Sequence, residues 1–134
     1  MSILYLLPLF TLIASSLSGF VDVTIYSDFA SKSAGKPKIV LLEVWAKCSF
    51  CDEGASILEA ECAKHTDVVC YKAYLKGDQP HTFDHSYDST PYKARYAPYV
   101  AFIVNGKKVF EINEYNLNSY EQELATGFKK MGEK

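Results

Sequence analysis

The chain has 134 residues, a formal net charge of −2 and 22% charged residues, enough for one compact domain with a core of its own. No basic or acidic block interrupts it, so nothing points to nucleic acid or to a charged membrane surface as a partner. There are no internal repeats, low-complexity segments or linkers long enough to divide the domain.

Residues 1–18 carry no Lys, Arg, Asp or Glu, and Ile3 to Leu17 is strongly apolar, followed by Ser18 and Gly19. This reads as a secretory signal peptide over residues 1–19, cut near Ser18 or Gly19, with the folded domain over residues 20–134. The alternative is an uncleaved anchor, for which about 15 apolar residues are short of the roughly 20 that a span requires. Entry to the secretory pathway implies an oxidising environment, where cysteines are usually paired. The final Met131-Gly132-Glu133-Lys134 is not a K-D-E-L-type retention signal, so the endoplasmic reticulum lumen and secretion are both open as destinations. After signal cleavage no membrane association is expected.

Phe20 to Tyr26 alternates as a first strand, and Ser27 or Asp28 is placed to cap a short helix through Lys32. A loop at Ser33-Ala34-Gly35-Lys36-Pro37 leads to Ile39–Trp45, an apolar run that reads as a buried parallel strand. A helix is expected from about Cys48 to Lys64, with Ala55, Leu58 and Cys62 on one face. Val68 to Leu75 is the next strand, and Lys76 to Pro91 a polar loop. A short helix near Tyr92–Tyr96 follows. Tyr99–Val104 and Lys107–Ile112 flank Asn105-Gly106, the strongest short hairpin signal, because a type I′ turn needs positive φ at both central residues. Asn118 or Ser119 caps a last helix with Tyr120, Leu124 and Phe128 on one face. Parallel crossovers followed by an antiparallel hairpin predict an α/β domain: a mixed central sheet with helices on both faces.

The chemistry lies in Cys48-Ser49-Phe50-Cys51. A cysteine at a helix N-terminus meets unpaired N–H groups and the positive end of the helix dipole, which favour the thiolate. Cys51 lies one turn further in, within reach of a mixed disulfide formed at Cys48. A bare C-x-x-C is also half of a zinc site, and His81 and His85 have H-x(3)-H spacing. The strand-then-helix context favours the redox reading; no metal or other cofactor is assigned.

Four segments then resemble the thioredoxin superfamily, nearer to protein disulfide isomerase domains than to cytosolic thioredoxin. These are Leu42-Glu43-Val44-Trp45-Ala46, Ala55-Ser56-Ile57-Leu58, Tyr92-Lys93-Ala94-Arg95-Tyr96-Ala97-Pro98, and Phe102-Ile103-Val104-Asn105-Gly106-Lys107. The resemblance runs from about Val21 to Phe128. It implies a thioredoxin fold and a thiol–disulfide oxidoreductase. Cys48 would be the attacking thiolate and Cys51 the buried resolving thiol. Glu43 would be the family's buried acid beneath the second cysteine, taking and returning its proton. Lys72 would pair with that acid, Pro98 would be a cis-proline facing the cysteines, and Arg95 matches an arginine near this loop. Trp45, Phe50 and Ala97 would contact an extended substrate, presented to it much like an added strand.

Several residues depart from the family pattern. Lys47 stands where a Trp precedes the first cysteine, and the segment from Glu43 to Cys48 is one residue shorter than in thioredoxin. The dipeptide is Ser-Phe, and Phe50 cannot give the thiolate a charged hydrogen bond, so a less oxidising couple is expected than at a typical isomerase site. Ser56 replaces a kink proline, and Ala97 replaces a larger residue and widens the groove. Cys62 and Cys70 face each other across a short turn as a candidate structural disulfide, with two buried free thiols, or a relay for the Cys48–Cys51 pair, as the alternatives. In the longer loop Gly77–Pro91, Pro80, His81, Phe83, His85 and Tyr87 either line a substrate groove or are a solvated insertion. The expected partners are protein thiol and disulfide clients, with glutathione or another redox protein as electron partner. The competing reading is a secreted binding module whose Cys48–Cys51 disulfide is static, since fold alone does not decide function.

Overall fold

Residues 19–75 and 85–132 are described by a computed structural model of the chain. The signal-peptide assignment, His81 and most of the polar loop lie outside the described residues. The elements are β1 (Val21–Val23), α1 (Tyr26–Ser33), β2 (Lys38–Trp45), α2 (Ser49–Lys64), β3 (Val69–Leu75), a 3-10 turn at His85–Tyr87, β4 (Tyr99–Val104), β5 (Lys107–Ile112) and α3 (Leu117–Met131). The strands form one sheet in the order β1-β3-β2-β4-β5. β3 is parallel to β1 and β2, whereas β4 is antiparallel to β2 and β5. The expected α/β architecture is therefore present. Among the described residues no helix is long and apolar enough to cross a membrane.

β2 is the central strand, and its six residues from Ile39 to Val44 are all buried. Side chains alternate across a strand, and here the alternation divides the core in two. Val40, Leu42 and Val44 pack with Cys70, Val100 and Phe102 beneath α2 and α3. Ile39 and Leu41 pack with Tyr71, Ala73 and Tyr99 beneath Phe29 of α1 and the buried Tyr87 and Tyr92. The β4–β5 hairpin turns at Asn105 (φ 50°) and Gly106 (φ 80°), as the dipeptide predicts.

Some local expectations differ. β1 stops at Val23 because Asp28 Oδ2 accepts the Thr24 amide at 2.9 Å and turns the chain early. Asp28 thus supports α1 from its first turn, while Ile25 is the N-cap. The cap of α3 is Asn116, whose side chain accepts the Asn118 amide at 3.0 Å, rather than Asn118 or Ser119. No helix forms over 92–96. Tyr92 and Ala94, two residues apart, are both buried, and burying alternate residues is incompatible with a helical turn. Tyr87 does not line a substrate groove: it is buried against α1 and donates from its hydroxyl to the Thr24 carbonyl at 3.2 Å.

α3 rests closely on the sheet at Gly127. A Cβ there would lie 2.4 Å from two ring atoms of the fully buried Phe102, whose ring is itself packed against Phe110 and Phe128. Gly127→Ala gains up to about 1 kcal/mol of helix propensity but overpacks a core site at about 1–3 kcal/mol. A net loss of about 1–2 kcal/mol is expected, read as a lower urea midpoint with an unchanged m-value.

Candidate active site

β2 hands the chain to α2 through Ala46 and Lys47. Lys47 adopts φ 51°, a left-handed conformation uncommon outside glycine, and this tight turn delivers Cys48 as the N-cap of α2. Cys48 Sγ accepts the Cys51 amide at 3.2 Å, a first-turn donor that it shares with the Cys48 carbonyl at 3.1 Å. Cys48 and Cys51 are joined as a disulfide with Cα atoms 5.1 Å apart. Their exposures are only 4% and 1%.

The Ala97–Pro98 peptide is cis, as the resemblance implied, and Pro98 lies against the first turns of α2. The residue that allows this approach is Gly54: a Cβ there would sit 3.1 Å from Pro98 Cγ, 3.3 Å from Tyr115 Cε1 and 3.4 Å from the Tyr120 hydroxyl. The buried Tyr120 hydroxyl donates to the Gly54 carbonyl at 3.1 Å. Beside the disulfide runs a groove of about 450 Å³ lined by Trp45, Phe50, Tyr96, Ala97, Glu114 and Tyr115. The three expected contact residues, Trp45, Phe50 and Ala97, thus share one groove. Phe50 is 41% exposed and Tyr96 53% exposed. Phe50 stacks on Tyr115 with ring centroids 6.4 Å apart. The Tyr115 hydroxyl donates to Glu53, and partial burial together with that carboxylate pushes its phenol up to about 12.

Glu43 is not where the resemblance puts it and does not pair with Lys72, which does face α2 as expected. Lys72 pairs across the sheet with Leu42, and Glu43 with Ala73. Leu42 belongs to the cysteine face and Ala73 to the α1 face. Glu43 therefore points away from α2 and Cys51, and Lys72 points toward them, so the acid and the lysine lie on opposite sides of the sheet. The physical reason is the alternation of β2: adjacent residues point to opposite faces, so with Leu42 on the cysteine face Glu43 lies on the other, beside Ala73 and Tyr99. Lys72 instead lines a polar hollow with Asp22, Asp52, Ser56 and Glu59. Arg95 is exposed.

Cys62 and Cys70 are bonded, with Cα atoms 6.4 Å apart, as the candidate structural disulfide required. Among the described residues no group of three or more His, Cys, Asp or Glu could hold a metal ion. His85 is exposed, its Nδ1 lying 2.8 Å from Asp88 Oδ2.

No family model matches the sequence, and no curated protein matches it. Solved structures do match its fold. Thioredoxin O2 from Arabidopsis thaliana, in its oxidised state, aligns with TM-score 0.61 and 21% identity over 81% of this chain and 94% of its own. A thioredoxin from Malassezia sympodialis aligns with TM-score 0.62 and 17% identity over 86% of this chain and 94% of its own. Oxidised mitochondrial thioredoxin 3 from Saccharomyces cerevisiae gives TM-score 0.59 and 17% identity over 83% and 98%.

The chain has the thioredoxin fold. Within it, sequence reasoning found the cysteines, the cis-proline and three of the groove residues. It missed Gly54, Tyr96, Glu114, Tyr115 and the Tyr120 hydroxyl. Gly54 had a signal: an isolated glycine inside a helix costs about 1 kcal/mol against alanine and usually marks a close approach. Tyr115 had none, because the loop that brings it to Phe50 is set by how α3 docks.

Two measurements follow from the site's burial and bonding. Burial raises the Glu43 carboxyl from its ordinary 4.5 to about 9, against a smaller opposing pull from Lys108. Both its oxygens lack a hydrogen-bond partner among the described residues. The folded chain therefore keeps a proton that the unfolded chain releases above its ordinary pKa. Stability is greatest at the acid end of this window and falls as pH rises toward 9. Glu43→Gln should flatten that slope by up to about 1.4 kcal/mol per pH unit in urea titrations. Replacing Cys62 and Cys70 together with Ala should lower stability by about 2–3 kcal/mol, the chain-entropy value for so short a loop. The reactivity of Cys48–Cys51 with a thiol reductant should stay the same.

Proposed function

We propose that this protein is a thiol–disulfide oxidoreductase acting on disulfides of protein clients in the secretory pathway, with an isomerase-like range of clients. The observation that carries the reading is a C-x-x-C pair at the N-cap of α2, its first sulfur already accepting a helix amide, beside a cis-proline and an open aromatic groove.

In the reduced protein the Cys48 thiolate attacks one sulfur of a client disulfide. A Cys48–client bond forms and the client's other sulfur leaves as a thiolate. Cys51, deprotonated, then attacks Cys48 Sγ, which re-forms the Cys48–Cys51 bond and releases the client's second thiolate. Two electrons pass from the protein dithiol to the client, and the released thiolates take up the two protons. The reverse sequence oxidises a client dithiol and leaves Cys48 and Cys51 reduced. The N–H of Cys51 and the N-terminal end of the α2 dipole stabilise the Cys48 thiolate. With Glu43 on the other face, Cys51 does not exchange its proton with that acid. Glutathione or another redox protein would reset the pair.

The compartment rests on the charge-free apolar stretch at residues 1–18 and on the pairing of all four cysteines, which suits an oxidising environment. Residence in the endoplasmic reticulum lumen and secretion are both compatible with it.

A second reading is favoured by one observation. Both sulfur-bearing residues are nearly covered while Phe50 beside them is open, an arrangement suited to a binding module with a static disulfide. A glutathione redox titration with thiols trapped and mapped separates the two. A Cys48–Cys51 midpoint between about −180 and −270 mV supports turnover with clients, the lower end marking a reductant, whereas a pair locked below about −300 mV supports the static disulfide.

For the oxidoreductase, Cys48→Ser abolishes turnover and Cys51→Ser accumulates client mixed disulfides in cells, visible as reductant-sensitive high-mass bands. Absence of any trapped client with Cys51→Ser would falsify the catalytic reading. Phe50→Ser should raise KM several-fold for peptides with aromatic neighbours of the disulfide and leave kcat nearly unchanged, because the ring contributes groove contact rather than chemistry.

A further inference from the structure

Lys108 lies on β5, on the α1 side of the sheet, and the disulfide exchange makes no direct use of it. Its ammonium donates to Glu111 Oε1 at 2.6 Å and to the Pro91 carbonyl at 2.6 Å, and lies 3.4 Å from the Tyr99 hydroxyl. That hydroxyl donates to the same Glu111 oxygen at 2.7 Å. The Lys108 side chain is 25% exposed. Burial pushes the Glu111 carboxyl upward, yet hydrogen bonds from Lys108 and Tyr99 outweigh it and hold the group below its ordinary range. Glu43, paired across the sheet with Tyr99, is the other acid that feels Lys108.

These contacts sit at the two ends of one segment. Pro91 opens it and Tyr99 closes it. The residues between, 92–98, form neither helix nor strand, so no backbone ladder sets their path. That segment supplies Tyr96 and Ala97 to the groove and Pro98 to the contact with Gly54. Charge-assisted hydrogen bonds of this length are the stronger class.

We propose that Lys108 is a positioning residue for substrate binding: by holding the Pro91 carbonyl and the Tyr99–Glu111 pair together it sets the groove wall of Tyr96, Ala97 and Pro98. This rests on the oxidoreductase reading. A preformed wall spares an incoming extended peptide the ordering of that segment, so the contribution falls on binding of long substrates. Small disulfides, which need only Cys48, gain nothing from it.

The test uses the full chain with Lys108→Met, Lys108→Arg and Tyr99→Phe, the last removing a single hydroxyl should Lys108→Met fold poorly. Two substrates are compared: an extended peptide disulfide with aromatic flanking residues, and bis(2-hydroxyethyl) disulfide. Lys108→Met should raise KM for the peptide about tenfold with kcat and the Cys48–Cys51 midpoint unchanged. The small disulfide should be unaffected, Lys108→Arg should recover most of the loss, and Tyr99→Phe should shift the peptide KM in the same direction by less. Equal losses on both substrates, or an unchanged peptide KM in Lys108→Met and Tyr99→Phe, overturn the proposal. Amide hydrogen exchange gives a readout independent of turnover: residues 94–97 should exchange about tenfold faster in Lys108→Met while β2 and β3 do not change. A wild-type chain inactive on both substrates defeats the oxidoreductase reading alone. Unchanged exchange in the segment then defeats the positioning role as well, and faster exchange sustains it.

Discussion

Alternation along β2 governs what each side of this molecule can do. The strand is covered on both faces, so each of its residues must belong to one core or the other. The face of Val40, Leu42 and Val44 receives α2 and both disulfides. The face of Leu41 receives α1, the tyrosine-rich packing and the buried Glu43. β2 leads directly into Cys48, and Leu42 rather than Glu43 faces the cysteine side, so the acid expected near the second thiol lies on the opposite face.

That alternation bears on where sequence reasoning succeeded and where it failed. The strand itself was legible because a continuous apolar run bounded by Pro37 and a C-x-x-C has few other readings. The hairpin was legible from Asn105-Gly106, and the buried stripes of α2 and α3 from their spacing. The side of Glu43 was not legible, because a strand buried on both faces reads as a continuous apolar run with no alternation to tell one face from the other. Tertiary burial likewise overrode local propensity at 92–96, where Tyr92 and Ala94 are drawn into the α1 core at a spacing no helix supplies.

The groove owes its form to contacts that join distant parts of the chain. Gly54 on α2, Pro98 before β4, Tyr115 before α3 and Tyr120 within α3 meet at one point, and none is close to another in sequence except the last two. Their packing brings the Phe50 ring against Tyr115 and leaves one side of the groove to irregular backbone. On the proposed oxidoreductase reading, substitutions on that side are expected to act on recognition more than on the exchange of sulfur bonds.

The two disulfides share one helix yet differ in chemical character, and the helix itself supplies the reason. Cys51, Ala55, Leu58 and Cys62 lie along one buried stripe of α2, so burial does not distinguish the pairs. Position along the axis does. Cys48 caps the N-terminal end, and its sulfur accepts the first-turn amide of Cys51 alongside the Cys48 carbonyl. Cys62 lies in the last turn, where carbonyls point outward and its own carbonyl accepts the His65 amide. The dipole favours an anion at the first end and disfavours it at the second, each by about 0.3–1 kcal/mol near a surface and more where water is excluded. Reduction of the first pair therefore yields a thiolate that the helix stabilises, while reduction of the second leaves a buried thiol at the wrong end of the same dipole. The same bond is thus suited to exchange at the head of α2 and to stapling at its tail.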